Sequence, residues 1–195
     1  MDGFKSVLRR AGIRRARLAA ARMHVERTVL ARTSRADTGA RSRILCYHSV
    51  GTPLWGINDV RPEQLRCHLE LALEAGFHFV SPEQLARTGG RPHELALTFD
   101  DGLASVAANA APILADYGIP WMLFVVTDWA AGRHHFGDGV FMGWREIERL
   151  AARGVAVGSH SVSHPNFADL APDETERELA VSRRVRAQIH SPQPS

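Results

Sequence analysis

Cysteine is scarce in this sequence: Cys46 and Cys67 are the only two among 195 residues. Two cysteines build no disulfide framework, and Cys46 lies inside an apolar, strand-like run, which suits a reducing compartment better than a stapled, secreted scaffold. Long apolar runs are missing as well. Near the start the longest is Leu18 to Ala21, closed by Arg22, far short of the roughly 20 residues of a membrane-spanning helix and no core for a signal peptide. The expected location is therefore cytoplasmic or peripheral to a membrane. No internal repeat divides the chain, and 195 residues with 45% hydrophobic content can bury one sizeable core, so one main domain is expected.

Acidic residues are nearly absent from the first fifth of the chain. Residues 1–43 hold twelve Lys and Arg against Asp2, Glu26 and Asp37, a balance of +9, whereas the formal charge of the whole is only +3. The basic character belongs to an arm, and the domain behind it is acidic. Residues 3 to 31 have good helix formers, with Phe4, Val7, Leu8 and Ala11 at helical spacing. Such a basic helix can lie on an anionic membrane surface or bind nucleic acid; a solvated extension is the plainer reading and the preferred one, and no specific nucleic-acid partner is expected. Residues 32 to 42 resemble a linker in composition, so the arm and linker together span 1 to 43.

From residue 44 onward, short apolar runs alternate with amphipathic segments. Ile44 to His48 is expected as a buried strand. Pro62 opens a helix with Leu65, His68, Leu69, Leu71 and Leu73 on its apolar face and Gly76 as its stop. Phe77 to Val80 is a short strand, a helical turn starts at Ser81-Pro82-Glu83, and Glu94 to Phe99 is the next strand. Residues 104 to 117 are predicted as helix. Trp121 to Val126, continuously apolar, has the signature of a strand buried on both faces. A long loop over 128 to 142 leads to a helix at 144 to 153 and a strand at 155 to 158. Pro172 and the acids after it announce a last helix, with Val181, Val185 and Ile189 as its buried side, and residues 191 to 195 form a disordered tail. Five such alternations call for a parallel α/β sheet of right-handed crossovers, open or closed into a barrel.

In that architecture chemistry gathers beyond the carboxyl ends of the strands, where this chain places His48, Asp100 with Asp101, Asp128, and His160 with His164. Asp100 and Asp101 follow an apolar strand directly. Two like charges at the lip of a core are costly unless a cation or protons neutralise them. His160-Ser161-Val162-Ser163-His164-Pro165 places two imidazoles four residues apart, and Pro165 biases His164 away from helical angles, toward a strand-end loop. Two histidines and a carboxylate leave a metal partly unsaturated, as in a catalytic zinc site; the same ligand set also suits ferrous iron. One aspartate would ligate and the other would accept a proton from water, which points to hydrolysis of an amide or ester. Alone, Asp-Asp-Gly is most often a turn and a histidine pair most often surface; together, at two strand ends of one unit, they favour a site.

Thr98-Phe99-Asp100-Asp101-Gly102 and His160-Ser161-Val162-Ser163-His164-Pro165 resemble the first two motifs of the polysaccharide deacetylases, the NodB-homology or carbohydrate esterase family. The spacing, the intervening run Ile119 to Val126, Tyr47-His48-Ser49-Val50 and Gly158-Ser159-His160 resemble it too, and the likeness covers residues 44 to 190. It implies a partial (β/α) barrel, preceded here by the basic N-terminal helix. It also implies a metal-dependent hydrolase that removes acetyl groups from N- or O-acetylated oligo- or polysaccharide with a divalent metal, usually Zn2+. Carried over by motif, Asp101, His160 and His164 would be the metal ligands and Asp100 the catalytic base; His48 matches no assigned role. The family normally continues with an Arg-x-Pro-Tyr-like or Tyr-Pro-Tyr-Gly-like motif and a Leu-x-x-His-like motif bearing the general acid, and this chain stops at Ser195. The alternative expectation is accordingly an impaired fragment or a non-catalytic protein that binds metal or carbohydrate.

Overall fold

The structure, a computed structural model, describes residues 41–52 and 58–187, all within one compact unit, Arg41–Ser195. The helix expected over 3 to 31, most of the linker and the tail after residue 190 lie outside the described residues.

A parallel sheet organises this unit. Its central strand, β5 (Glu94–Phe99), is buried at all six positions. It pairs along one ladder with β1 (Arg43–Tyr47), at its start with β4 (His78–Phe79) and at its end with β6 (Met122–Val125). β6 pairs in turn with β7 (Ala156–Ser159), giving the order β1-β5-β6-β7. β2 (Ser49–Val50) and β3 (Asp59–Val60) form a separate parallel pair. Among the described residues no ladder joins β7 back to β1, so the barrel is partial and open.

The helices sit where prolines and glycines place them. α1 (Pro62–Glu74) begins on its proline, where a missing N–H costs nothing, with the Arg61 N–H held by Gln64 Oε1 at 3.1 Å. α2 (Pro82–Thr88) is capped by Ser81, whose Oγ accepts from Gln84 N at 3.1 Å, and is stopped by Gly89 in the left-handed region. The helix expected over 104 to 117 divides into a wide π turn, Val106–Ala110, and α3 (Ala111–Asp116). Pro112 has no N–H to return to the preceding turn, and the Ala111 N–H reaches back five residues to Val106 O. The long loop expected from residue 128 contains a short helix, α4 (Thr127–Ala130), and α5 (Trp144–Ala152) and α6 (Pro172–Ala187) follow.

The core lies on one face of the sheet. Leu97, Phe99, Leu123, Val125 and Val157 pack there against Leu65 and Leu69 of α1, Ile113 and Leu114 of α3, and Ile147 and Leu150 of α5. Four expectations of burial fail, each for a tertiary reason. β1 is an edge strand, so Ile44 is 55% exposed and Cys46 is exposed. On α1 only Leu65 and Leu69 are buried, because the helix lies on the sheet along a single line and leaves Leu71 and Leu73 in solvent. In β6 only Leu123 and Val125 are buried, while Met122 and Phe124 on the opposite face are partly open. On α6 the buried residues are Glu178 and Ser182; Val181 is exposed, and Ile189 lies outside the described residues. That helix packs against β7 and the loop after it, and the Val162 and Ser163 N–H groups of that loop donate to Glu178. Among the described residues, no helix is long and apolar enough to cross a membrane.

Candidate metal centre

Asp101 is delivered by the end of β5. The strand stops at Phe99, and Asp101 and Gly102 then both take positive φ, 72° and 74°. Glycine adopts that region freely, and aspartate is among the few residues that tolerate it. The turn separates the neighbours: Asp101 is buried, whereas Asp100 is half-buried with Oδ2 accepting the Cys46 thiol hydrogen at 3.1 Å. Cys46 lies opposite Thr98 in the β1–β5 ladder, which brings its sulfur to the strand end. Although Cys46 is exposed as a residue, partial desolvation of its sulfur, and then the hydrogen bond to Asp100, push the thiol up to about 11.

His160 and His164 come from the loop after β7. The His160 N–H donates to Val125 O at 2.9 Å, and the loop stays beside the chain after β6 through Thr127 N to Ser161 O at 3.2 Å and Asp128 N to Val162 O at 2.9 Å. Ser161 and His164 have φ of 70° and 59°, so the loop coils back on itself. His164 is out of the right-handed helical region that Pro165 disfavours, although it turns left-handed and not extended. Ser161 Oγ accepts from His164 N at 3.0 Å and closes the turn. The two rings then stand 5.1 Å apart between centroids, His160 toward Phe124 and His164 toward Trp129.

The two imidazoles converge on one oxygen. His160 Nε2 lies 3.6 Å and His164 Nε2 3.5 Å from Asp101 Oδ1. That oxygen is buried and accepts no hydrogen bond. One donor atom from each of the three residues lies within 4.8 Å of the others. Two ligands at ~2.1 Å from a tetrahedral ion stand about 3.4 Å apart, which is close to the separations observed here. An orphaned, buried carboxylate oxygen flanked by two imidazole nitrogens is a donor set that could hold a divalent cation, and the three residues fit one.

The group opens into a cleft of about 580 Å³ whose lining includes His48, Asp128, Trp129, His134, Phe136 and His164. His48 therefore lines the same cleft as Asp101. Asp128, another strand-end carboxylate, is taken up by Arg133, with Nη2 at 2.6 Å and Nε at 3.0 Å. Two features were not visible as site features in the sequence. Cys46 looked like a core residue, and nothing in the sequence marks Glu178, since its partners lie 15 and 16 residues earlier.

The family model for polysaccharide deacetylase matches residues 88–195, more than half of the chain. The chain belongs to the polysaccharide deacetylase family. Among curated relatives of this deacetylase-family chain, Bacillus subtilis YxkH, named for the same family, is 23% identical over 158 residues, covering 77% of this chain and 53% of YxkH. The chitooligosaccharide deacetylase of Sinorhizobium fredii is 27% identical over 100 residues, covering 51% of this chain and 42% of its own length. The chain thus spans about half the length of the curated relatives it matches. Among solved structures, the Streptococcus pyogenes deacetylase PplD in complex with acetate superposes with a TM-score of 0.66 at 24% identity, covering 77% of this chain and 70% of PplD. That likeness carries the partial α/β barrel fold of the deacetylases.

Proposed function

We propose that this chain is a metal-dependent deacetylase acting on acetylated oligo- or polysaccharide, cleaving the N-acetyl or O-acetyl linkage. The observation that carries the reading is the buried Asp101 Oδ1, without a hydrogen bond and facing two imidazole nitrogens at 3.5 and 3.6 Å. Asp101, His160 and His164 would hold the ion, for which zinc is the best match to two nitrogens and one oxygen with a position left open. The chemistry such an ion supplies is Lewis-acid polarisation of the acetyl carbonyl and easier deprotonation of water. Asp100, the neighbour of Asp101 in the chain, accepts the proton of the attacking water on its carboxylate. Its Oδ2 is engaged by the Cys46 thiol, which fixes the plane of the group and leaves Oδ1 to take the proton. Trp129 and Phe136 give the cleft an apolar wall, suited to a sugar ring or an acetyl methyl group. The domain that does this extends over residues 44 to 190, behind the basic arm of residues 1 to 43.

The test is acetate release from N-acetylated chito-oligosaccharides and from an O-acetylated glycan, by protein stripped of metal and then reloaded with Zn2+. Zinc-dependent release that is lost in Asp101→Ala supports the reading. Release that is indifferent to both zinc and Asp101 contradicts it.

A further inference from the structure

Glu178 is a buried carboxylate that the proposed reaction does not use. It projects from α6 and is 6% exposed. Burying a charge without a partner is expensive, and no ion pair to Glu178 occurs among the described residues. Its partners are three hydrogen-bond donors from the segment between the two histidines. Oε2 accepts from Val162 N at 2.7 Å and from Ser163 N at 3.0 Å, and Oε1 accepts from Ser163 Oγ at 2.9 Å. Consecutive N–H groups presented to one carboxylate are an anion-binding nest, here filled from within the protein.

The segment needs such a clamp. Ser161 and His164 both sit in the left-handed region, at φ 70° and 59°, which is unfavourable for a residue with a side chain and which the surroundings must offset. Without that coil His160 and His164 would not both aim Nε2 at Asp101 Oδ1. A second contact from the same helix holds the other side of His160. The Ser159 hydroxyl, at the end of β7, donates to Ser182 Oγ at 2.6 Å, and Ser182 Oγ donates to Glu178 O at 2.7 Å. Ser182 is fully buried.

We infer that Glu178 is the positioning residue of the metal centre: from outside the ligand set, it fixes the spacing of His160 and His164 and so sets the affinity of the site for its ion. The inference rests on the metal reading above. Glu178 is not a ligand, because its oxygens are spent on the three donors. Its action reaches the ion only through the loop.

Zn2+ affinity of the full chain, measured by competition with a chromophoric chelator, tests this together with the visible spectrum of the Co2+-loaded protein. Glu178→Ala leaves two N–H groups without an acceptor; the expected loss of Zn2+ affinity is about 10- to 100-fold, with an altered Co2+ spectrum. Glu178→Gln retains an oxygen for both N–H groups and is expected to recover most of the affinity and the wild-type spectrum. Should Glu178→Ala fail to fold, Ser163→Ala removes one donor alone, and a loss of about 3- to 10-fold is expected. Zn2+ affinity and Co2+ spectrum unchanged in the folded variants, or a lowered melting temperature with affinity intact, would make Glu178 a merely structural residue and overturn the inference. Wild-type protein that binds no Zn2+ would overturn the metal reading itself, and this inference with it.

Discussion

Gly158 offers a perturbation whose size can be worked from the structure. It stands opposite Phe124 in the β6–β7 ladder, and a methyl group built on it would come within 2.5 Å of Phe124 Cε1 and still closer to Cδ1. No side chain fits at that separation, so in Gly158→Ala the ring must swing away or the strands must part. The ring is held in mid-strand on β6 and lies 6.3 Å, between centroids, from the His160 ring. Displacement therefore disturbs the immediate neighbour of a proposed ligand. Inserting one carbon into a packed contact costs about 1–3 kcal/mol, and for a domain of this size each kcal/mol lowers Tm by about 2–4 °C. The expected result is a Tm lower by about 2–12 °C and, at temperatures where the variant is fully folded, weaker Zn2+ binding. Thermal unfolding by circular dichroism with and without Zn2+ measures both. A variant with wild-type Tm and wild-type affinity would refute the claim that the glycine exists to admit the Phe124 ring beside His160.

Three further outcomes are expected. Asp100→Asn keeps an oxygen for the Cys46 thiol but loses the proton acceptor, so acetate release should fall by about 10²–10⁴-fold while Zn2+ affinity stays within a few-fold; equal loss of both would make Asp100 a ligand. In a Cys67→Ser background, the pH profile of iodoacetamide alkylation should place the Cys46 midpoint near 11, above the ordinary 9.0, and a midpoint at 9 would deny the effect of burial and Asp100. The sign for stability follows: folding disfavours the thiolate, so Cys46 contributes fully below pH 9 and its contribution is lost as pH rises toward 11. Leu97→Ala, at a fully buried position of β5, should cost about 2–5 kcal/mol in urea unfolding, and a loss below 1 kcal/mol would place the core elsewhere.

Much of the scaffold was legible in the residues because local rules and tertiary context agree there. Glu94 to Phe99 is apolar enough to be a central strand, and the two carboxylates that follow mark its end; the structure has the same strand bounds. Pro62 and Pro82 start helices and Gly76 and Gly89 lie just beyond their ends, at the positions where a missing N–H or a positive φ is tolerated. What could not be read was partnership across the chain. An apolar run does not distinguish an edge from a centre, so Ile44 and Cys46 looked buried and are not. The Cys46–Asp100 contact spans 54 residues and depends on the β1–β5 register. On α6, Val181 and Val185 carried the apolar period, but the helix meets the end of β7 and the N–H groups of the coiled loop after it, and Ser182 and Glu178 turn inward to meet them. The demand of a buried hydrogen bond outweighed hydrophobic periodicity.

The central claim is that Asp101, His160 and His164 hold one divalent ion. Crystals of the full chain grown with Zn2+, with diffraction collected on both sides of the zinc absorption edge, test it most directly. The account expects a single anomalous peak at ~2.0–2.2 Å from an Asp101 carboxylate oxygen and from the Nε2 atoms of His160 and His164, absent from crystals of Asp101→Ala. Zinc bound elsewhere, with these three side chains uncoordinated, would contradict it.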